Sequence, residues 1–351
     1  MSKKLKILAC CHRMDFSGAP LLLHRLLAAL ADKHDIAVLR PMGETAAPGL
    51  IRDYEAAGIS IVREARPQEY DLVIANTLAC AEIVLKTAGK VPTLYWVHEP
   101  QDGLTSVLEG RTPVEPFLRA DSVVFPTRWQ AEELYAPYLQ GRQVDIVPYG
   151  IPPRGGQPAK PFSLPEGTTS LLQLGWLASR KGQDVTLVAL DILDDPTVHV
   201  FMAGSPDVTP VFAERLKAKV ANSPRLSRQV HFLGSISPAG VDAYLTHVDA
   251  MIFPTNDDLI SVSILEAMAR KTCVISSDFG PIPETVVDGE TGLLFPVRDA
   301  DRYADCIRRL MTDKALCQRI AEGGYEIGQR KHGFAAHVDA MEAVFLRTAN
   351  A

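Results

Sequence analysis

Residues 249–276, DAMIFPTNDDLISVSILEAMARKTCVIS, read as a single βαβ unit. The apolar run Ala250-Met251-Ile252-Phe253 is a buried parallel strand. Pro254-Thr255-Asn256-Asp257-Asp258 is a loop. Ser261 to Arg270 is a helix whose first turn carries Ser261, Val262 and Ser263, and Cys273-Val274-Ile275 is the next strand. The acidic loop therefore stands at the C-terminal edge of a parallel strand, where open α/β sheets bind ligands. A helix start offers free N–H groups and a partial positive charge, which suit a phosphate. Asp258 and Glu266 stand one before the helix and one within it. On spacing alone two readings remain. Asp258 caps the helix and Glu266 pairs with Arg270 at i,i+4, or the two acids face the vicinal hydroxyls of a ribose or hexose.

The rest of the chain repeats the same alternation. In the first half, strands are expected near Leu5–Cys11, Ile36–Leu39, Ile59–Val62, Leu72–Ala75, Thr93–Val97, Ser122–Phe125 and Val144–Val147. Helices are expected between them, around Pro48–Ala57, Leu78–Ala88 and Thr127–Tyr135. In the second half, strands fall near Ser170–Leu174, His199–Ala203, Val230–Leu233, Ala250–Phe253 and Cys273–Ser276. This spacing predicts α/β architecture with doubly wound parallel sheets. The run from Val147 to Pro161, including Arg154, is dense in proline and glycine and marks a linker. No sequence repeat and no low-complexity segment is evident.

Composition narrows the classes. The 351 residues are enough for two ordinary domains, and 47% hydrophobic with 22% charged residues is the balance of a soluble globular chain. A net charge of −6 gives no electrostatic case for nucleic acid. The six cysteines contain no C-x-x-C pair and read as small buried hydrophobes in a reducing compartment. Met1-Ser2-Lys3-Lys4 precedes an apolar run too short for a signal-peptide core or a transmembrane segment, so a cytoplasmic protein is expected.

Three further strand ends carry polar residues. After the first strand, Arg13-Met14-Asp15-Phe16-Ser17-Gly18-Ala19-Pro20 leads into a Leu-rich helix that Gly18 opens. It is a plain βα turn or a place where a ligand approaches the backbone. It is not G-x-G-x-x-G, so a dinucleotide reading gains nothing. Trp96-Val97-His98-Glu99-Pro100 places His98 at a strand end, satisfied by neighbours or facing a substrate. Gly175-Trp176-Leu177-Ala178-Ser179-Arg180-Lys181-Gly182-Gln183 sets two cations beside a helix start, as a solvated turn or as a pyrophosphate site. Asp299-Ala300-Asp301 spells D-x-D, but at a helix start it reads as a cap, and no metal is expected.

Taken together, Asp258, Glu266 and the tail Leu265–Ala269 resemble the E-x7-E signature of retaining glycosyltransferases of family 4, the glycogen synthase and mannosyltransferase-like enzymes. Ser277–Glu284 and Val287–Phe295 resemble the Gly-Gly-x-Pro-Glu-like turn and short hairpin that follow it there. The likeness is strongest over residues 170–300. Two departures stand out: Asp258 replaces the first Glu, and Leu259 replaces the glycine after it. Lys181-Gly182 match the family's Lys-Gly, while Trp176 occupies the distant Arg position and Arg180 is the nearest substitute for that charge. Gly18, His98, Thr127 and Gly204 fall where the family has a glycine loop, a histidine near the donor sugar, a Ser/Thr-containing turn and a small glycine-containing turn.

The resemblance implies the GT-B fold, two Rossmann-like domains facing each other across a cleft. Residues 1–152 would form the acceptor-side domain and 153–330 the donor domain. Residues 331–351 would form a helix returning to the first, on the amphipathic set Phe334, Val338, Met341 and Phe345. It implies sugar transfer from a nucleotide-diphosphate donor, as co-substrate and without a cofactor, to an acceptor hydroxyl. Arg180, Lys181 and the N–H groups near Ser261, Val262 and Ser263 would hold the diphosphate, Glu266 the ribose, and Asp258 and His98 the sugar, with Gly18 and Gly204 lining the site. A lipid-linked acceptor would bring the protein to the periphery of the inner membrane, but no basic amphipathic helix is evident. A nucleotide-sugar epimerase, a sugar phosphorylase and a non-catalytic sugar-nucleotide binding protein are the alternatives. No segment resembles a pyridoxal-lysine site.

Overall fold

A computed structural model describes residues 4–40, 46–153 and 155–351; Met1–Lys3 and the linker residue Arg154 lie outside them. The chain divides into two compact units, one of Met1–Gly150 with Phe334–Ala351 and one of Ile151–Gly333.

The first unit holds a seven-stranded sheet. Its strands are β1 (Lys6–Cys11), β2 (Asp35–Leu39), β3 (Ser60–Val62), β4 (Leu72–Asn76), β5 (Thr93–Trp96), β6 (Ser122–Phe125) and β7 (Asp145–Ile146). They run in the order β3-β2-β1-β4-β5-β6-β7 with every pairing parallel. Consecutive residues of a strand face opposite sides of the sheet. All five residues of β4 are buried, so both faces are covered, as parallel sheets require. The core under β5 and β6 is aromatic, with Tyr95, Phe117, Phe125 and Tyr135 packed ring to ring.

The helix Phe334–Thr348 belongs to this unit. It buries Val338, Met341 and Phe345, while Phe334 is half-buried. Thr348 meets Ser122 at 2.7 Å, and Arg347 donates to Asp145 at 2.6 Å. The helix expected over Thr127–Tyr135 is present, but Gln130–Leu134 within it is π-helical rather than α-helical. Thr127 Oγ1 accepts the Gln130 amide at 3.2 Å, and the Gln130 side chain turns inward to donate to Glu99 O at 2.9 Å. That inward demand opens the turn beyond the α spacing.

The second unit holds a six-stranded parallel sheet. Its strands are β8 (Thr169–Leu174), β9 (Val198–Ala203), β10 (Val230–Gly234), β11 (Ala250–Phe253), β12 (Cys273–Ser277) and β13 (Leu293–Phe295), in the order β10-β9-β8-β11-β12-β13. Winding reverses between β8 and β11, and ligands of open sheets sit outside the strand ends at such a point. In the first unit the reversal lies between β1 and β4. The six cysteines are unbridged, and all but Cys317 are buried. No helix among the described residues is long and apolar enough to cross a membrane.

Candidate active site

The loops after β8 and β11 leave the two strands that flank the reversal in the second unit. Arg180 and Lys181 end a short 3-10 turn in the first loop, and Asp258 comes from the second. Gly182 brings the loops together. Its φ is +70°, and a Cβ there would lie 1.9 Å from Pro254 O, so only glycine fits. The Arg180 carbonyl then accepts from Thr255 Oγ1 at 2.8 Å and from the Asn256 amide at 2.9 Å.

Through this seam the three charges meet. Lys181 Nζ makes an ion pair with Asp258 Oδ2, and Arg180 Nη1 lies 3.5 Å from the same oxygen while donating to Asp257 O at 2.9 Å. The Lys181 ammonium also sits over the Phe253 ring, 5.1 Å from its centroid. Burial pushes the Lys181 amine below its ordinary pKa; Asp258 pulls it back up, and Arg180 presses it further down. Asp258 is therefore not a helix cap. Its other oxygen accepts the Leu259 amide at 3.0 Å. Leu259, which stands where the family has glycine, is buried with Ile260 and anchors the loop.

The helix Val262–Ala269 starts immediately beyond. Its first bond runs from the Ile264 amide to Ser261 O, so the Val262 and Ser263 amides precede the intrahelical ladder. Ser261 and Ser263 bond each other by their hydroxyls at 2.8 Å. Glu266 is buried in the second turn. Arg270 is held by Asp242, Nε to Oδ1 at 2.7 Å, and donates to Gly156 O at 3.0 Å. Gly204 follows β9 directly, with its amide on Gly234 O at 2.8 Å, and a Cβ there would lie 1.9 Å from Gly175 O. Its glycine is thus set by the close approach of the β8 and β9 ends. Asp299 accepts the Arg302 amide at 2.9 Å, the cap that its place at a helix start predicts. No group of three or more metal-ligating side chains occurs among the described residues.

The first unit builds a separate polar cluster at its own reversal. His98 is buried, with Nδ1 2.8 Å from Tyr149 Oη and Nε2 2.8 Å from Asn76 Oδ1. Asn76 Nδ2 donates to Ala19 O at 3.4 Å, which leaves Oδ1 to accept from His98 Nε2–H and Nδ1 to accept from Tyr149. His12 Nδ1 meets Thr77 Oγ1 at 2.9 Å, and Thr77 holds a φ of +91°, a strained position for a β-branched residue. Gly18 opens its helix with no atom near its missing side chain. Asn76, Thr77 and Tyr149 carry no motif; only their place at strand ends could have drawn attention to them.

Burial, with His12 and His337 nearby, lowers His98 from 6.5 to about 3, and burial lowers His337 to about 4. Burial raises Glu99 from 4.5 to about 7. Both histidines are depressed, so their contribution to stability is complete above about pH 6.5 and is lost as pH falls. Glu99 acts oppositely, its contribution being lost as pH rises from about 4.5 through 7. Between these values the unfolded chain binds the two histidine protons that the folded cluster excludes and lacks the one that Glu99 keeps, so the histidines outweigh Glu99 and stability rises with pH. Burial also lowers His24, His34, His199 and His231, which act in the same direction. Denaturant midpoints should therefore rise from pH 4.5 to 6.5, and His337→Asn should flatten the rise. A midpoint that falls over this range would contradict the neutral-histidine cluster.

Comparison with known proteins bears on the family and the fold. The sequence pattern of the family described as glycosyl transferases group 1 matches residues 158–327. The chain is similar to D-inositol 3-phosphate glycosyltransferase of Corynebacterium diphtheriae, with 23% identity over 83% of this chain and 74% of that protein. It is similar to alpha-maltose-1-phosphate synthase of Mycolicibacterium smegmatis, with 26% identity over 72% and 70%. In fold it resembles the Anabaena protein HepE, solved in complex with UDP and glucose, with a TM-score of 0.74 and 17% identity over 97% of this chain and 99% of that one.

Proposed function

With a glycosyl transferases group 1 domain over residues 158–327 the chain is a glycosyltransferase, and we propose that it moves a sugar from a nucleotide-diphosphate donor to an acceptor hydroxyl with retention of configuration. The observation that carries this reading is the meeting of Arg180 and Lys181 with Asp258 at the β8/β11 reversal, in the loop that leads into the helix Val262–Ala269. As the bond from the sugar to the diphosphate breaks, negative charge grows on the leaving phosphate. The two cations and the Val262 and Ser263 amides supply preorganised positive charge for it. Glu266 takes the ribose hydroxyls and Asp258 the donor sugar. Retention rests on the resemblance of Asp258, Glu266 and Leu265–Ala269 to the retaining family. No protein nucleophile is assigned.

For His98 a positioning role suits the two hydrogen bonds that fix its ring. The charge on the leaving group is met by side chains and backbone amides, so turnover should persist in a chelator. The acceptor is a carbohydrate, a phosphorylated polyol or a lipid-linked sugar, and the last would bring the protein to a membrane surface.

The test is incubation with UDP-, GDP- and ADP-sugars, with EDTA present, against an inositol phosphate, free hexoses and a lipid-linked sugar. Acceptor-dependent release of nucleoside diphosphate, with an α-linked product from an α-donor by NMR, is expected. Epimerised donor without acceptor, or no release from any donor, would overturn the reading. EDTA-abolished release would overturn the metal-free part alone.

A further inference from the structure

We propose that Asp258 is a latch on the phosphate site: it closes the Lys181–Arg180 cation pair when no donor is bound, and the donor diphosphate must displace it. This rests on the reading of these cations as the diphosphate site. It adds that one acid opposes donor binding and serves sugar transfer.

The latch is built into the fold. Lys181 and Asp258 side chains are only 11% and 15% exposed, so their contact is largely sheltered from solvent. Asp258 is delivered by a loop fixed at both ends. Thr255 and Asn256 are tied to the Arg180 carbonyl, and Leu259 and Ile260 are buried. Arg180 is held to the same loop through Asp257 O. A phosphate oxygen that reaches the Lys181 ammonium takes the side now facing the carboxylate. It then stands beside Asp258 as a like charge in a poorly hydrated site, which is strongly unfavourable. The carboxylate must turn away, while its Cα stays pinned beside the phosphate. Displacing the latch has the same cost for every anion. A diphosphate can engage both cations, whereas a single phosphate has fewer oxygens to offset that cost. The latch therefore lowers the affinity of diphosphate and monophosphate by the same factor: it sets how tightly the donor binds, while the preference for the diphosphate comes from the two cations it engages.

Calorimetric titration of the whole chain with UDP and UMP tests this, repeated with the GDP/GMP and ADP/AMP pairs if another base is preferred. Asp258→Asn keeps the shape and removes the charge. It is expected to bind the diphosphate about five- to tenfold more tightly, and the monophosphate by a similar factor. Acceptor-dependent turnover should nevertheless fall. Asp258→Ser, with a melting temperature checked against wild type, should show the same sign. If wild type binds a nucleoside diphosphate and both folded variants bind it no more tightly, the latch is wrong and the diphosphate site stands. If wild type binds no nucleoside diphosphate, or Lys181→Ala binds it equally well, the underlying site reading fails and the latch falls with it.

Discussion

Lys181→Ala is expected to weaken nucleoside diphosphate binding by roughly 10- to 150-fold, the equivalent of 1.5–3 kcal/mol for a charged hydrogen bond. Two effects push it towards the upper end. The ammonium is nearly enclosed, so little water screens its contact with phosphate. Its removal also leaves Asp258 beside the phosphate with one cation fewer to balance it. Arg180→Ala should cost less, because the Arg180 side chain is 25% exposed and spends one donor on Asp257 O. The uncharged nucleoside should bind both variants as it binds wild type. An equal loss for nucleoside and nucleoside diphosphate would mean that the pair acts through the fold of the two loops.

Glu266 carries the second large effect. Glu266 is buried in the second turn of the helix Val262–Ala269, whose first turn is the proposed phosphate site. A buried group that accepts from a substrate hydroxyl loses heavily when that hydroxyl is missing. Wild type should therefore disfavour a 2′,3′-dideoxyribose donor by about 10- to 100-fold. Glu266→Gln, which can pair with fewer hydroxyl donors, should discriminate several-fold less. Competition kinetics with the two donors measure the ratio directly. Unchanged discrimination in Glu266→Gln would remove Glu266 from the ribose site.

The fold was legible because its signals are local. Ala250–Phe253 and Cys273–Ser277 are fully buried strands, and their apolar runs show it without any alternation. The helix between them has its apolar residues at helical spacing, and the Lys-Gly and acidic loops stand out by composition. Which loops converge was not legible. The contact of Lys181 with Asp258 depends on β8 and β11 being neighbours, and strand order is a long-range property with no local code. The pairing of Glu266 with Arg270 suggested by i,i+4 spacing gave way to tertiary structure, since Asp242 on another helix takes the guanidinium. The π-helical turn at Gln130–Leu134 was missed for the same reason: the inward hydrogen bonds of Gln130 come from a distant strand end. In the first unit, His98 offered two readings as a residue. Asn76 and Tyr149, far from it in sequence, fix its ring by hydrogen bonds on both nitrogens.

The central claim is that the β8/β11 reversal of the second unit holds the diphosphate of a sugar donor. A crystal structure with the nucleoside diphosphate bound tests it most directly. The expected result places phosphate oxygens within hydrogen-bond distance of Lys181 Nζ, Arg180 and the Val262 and Ser263 amides, with the Asp258 carboxylate turned off Lys181. A diphosphate bound elsewhere, with the Lys181–Asp258 pair intact, would contradict it.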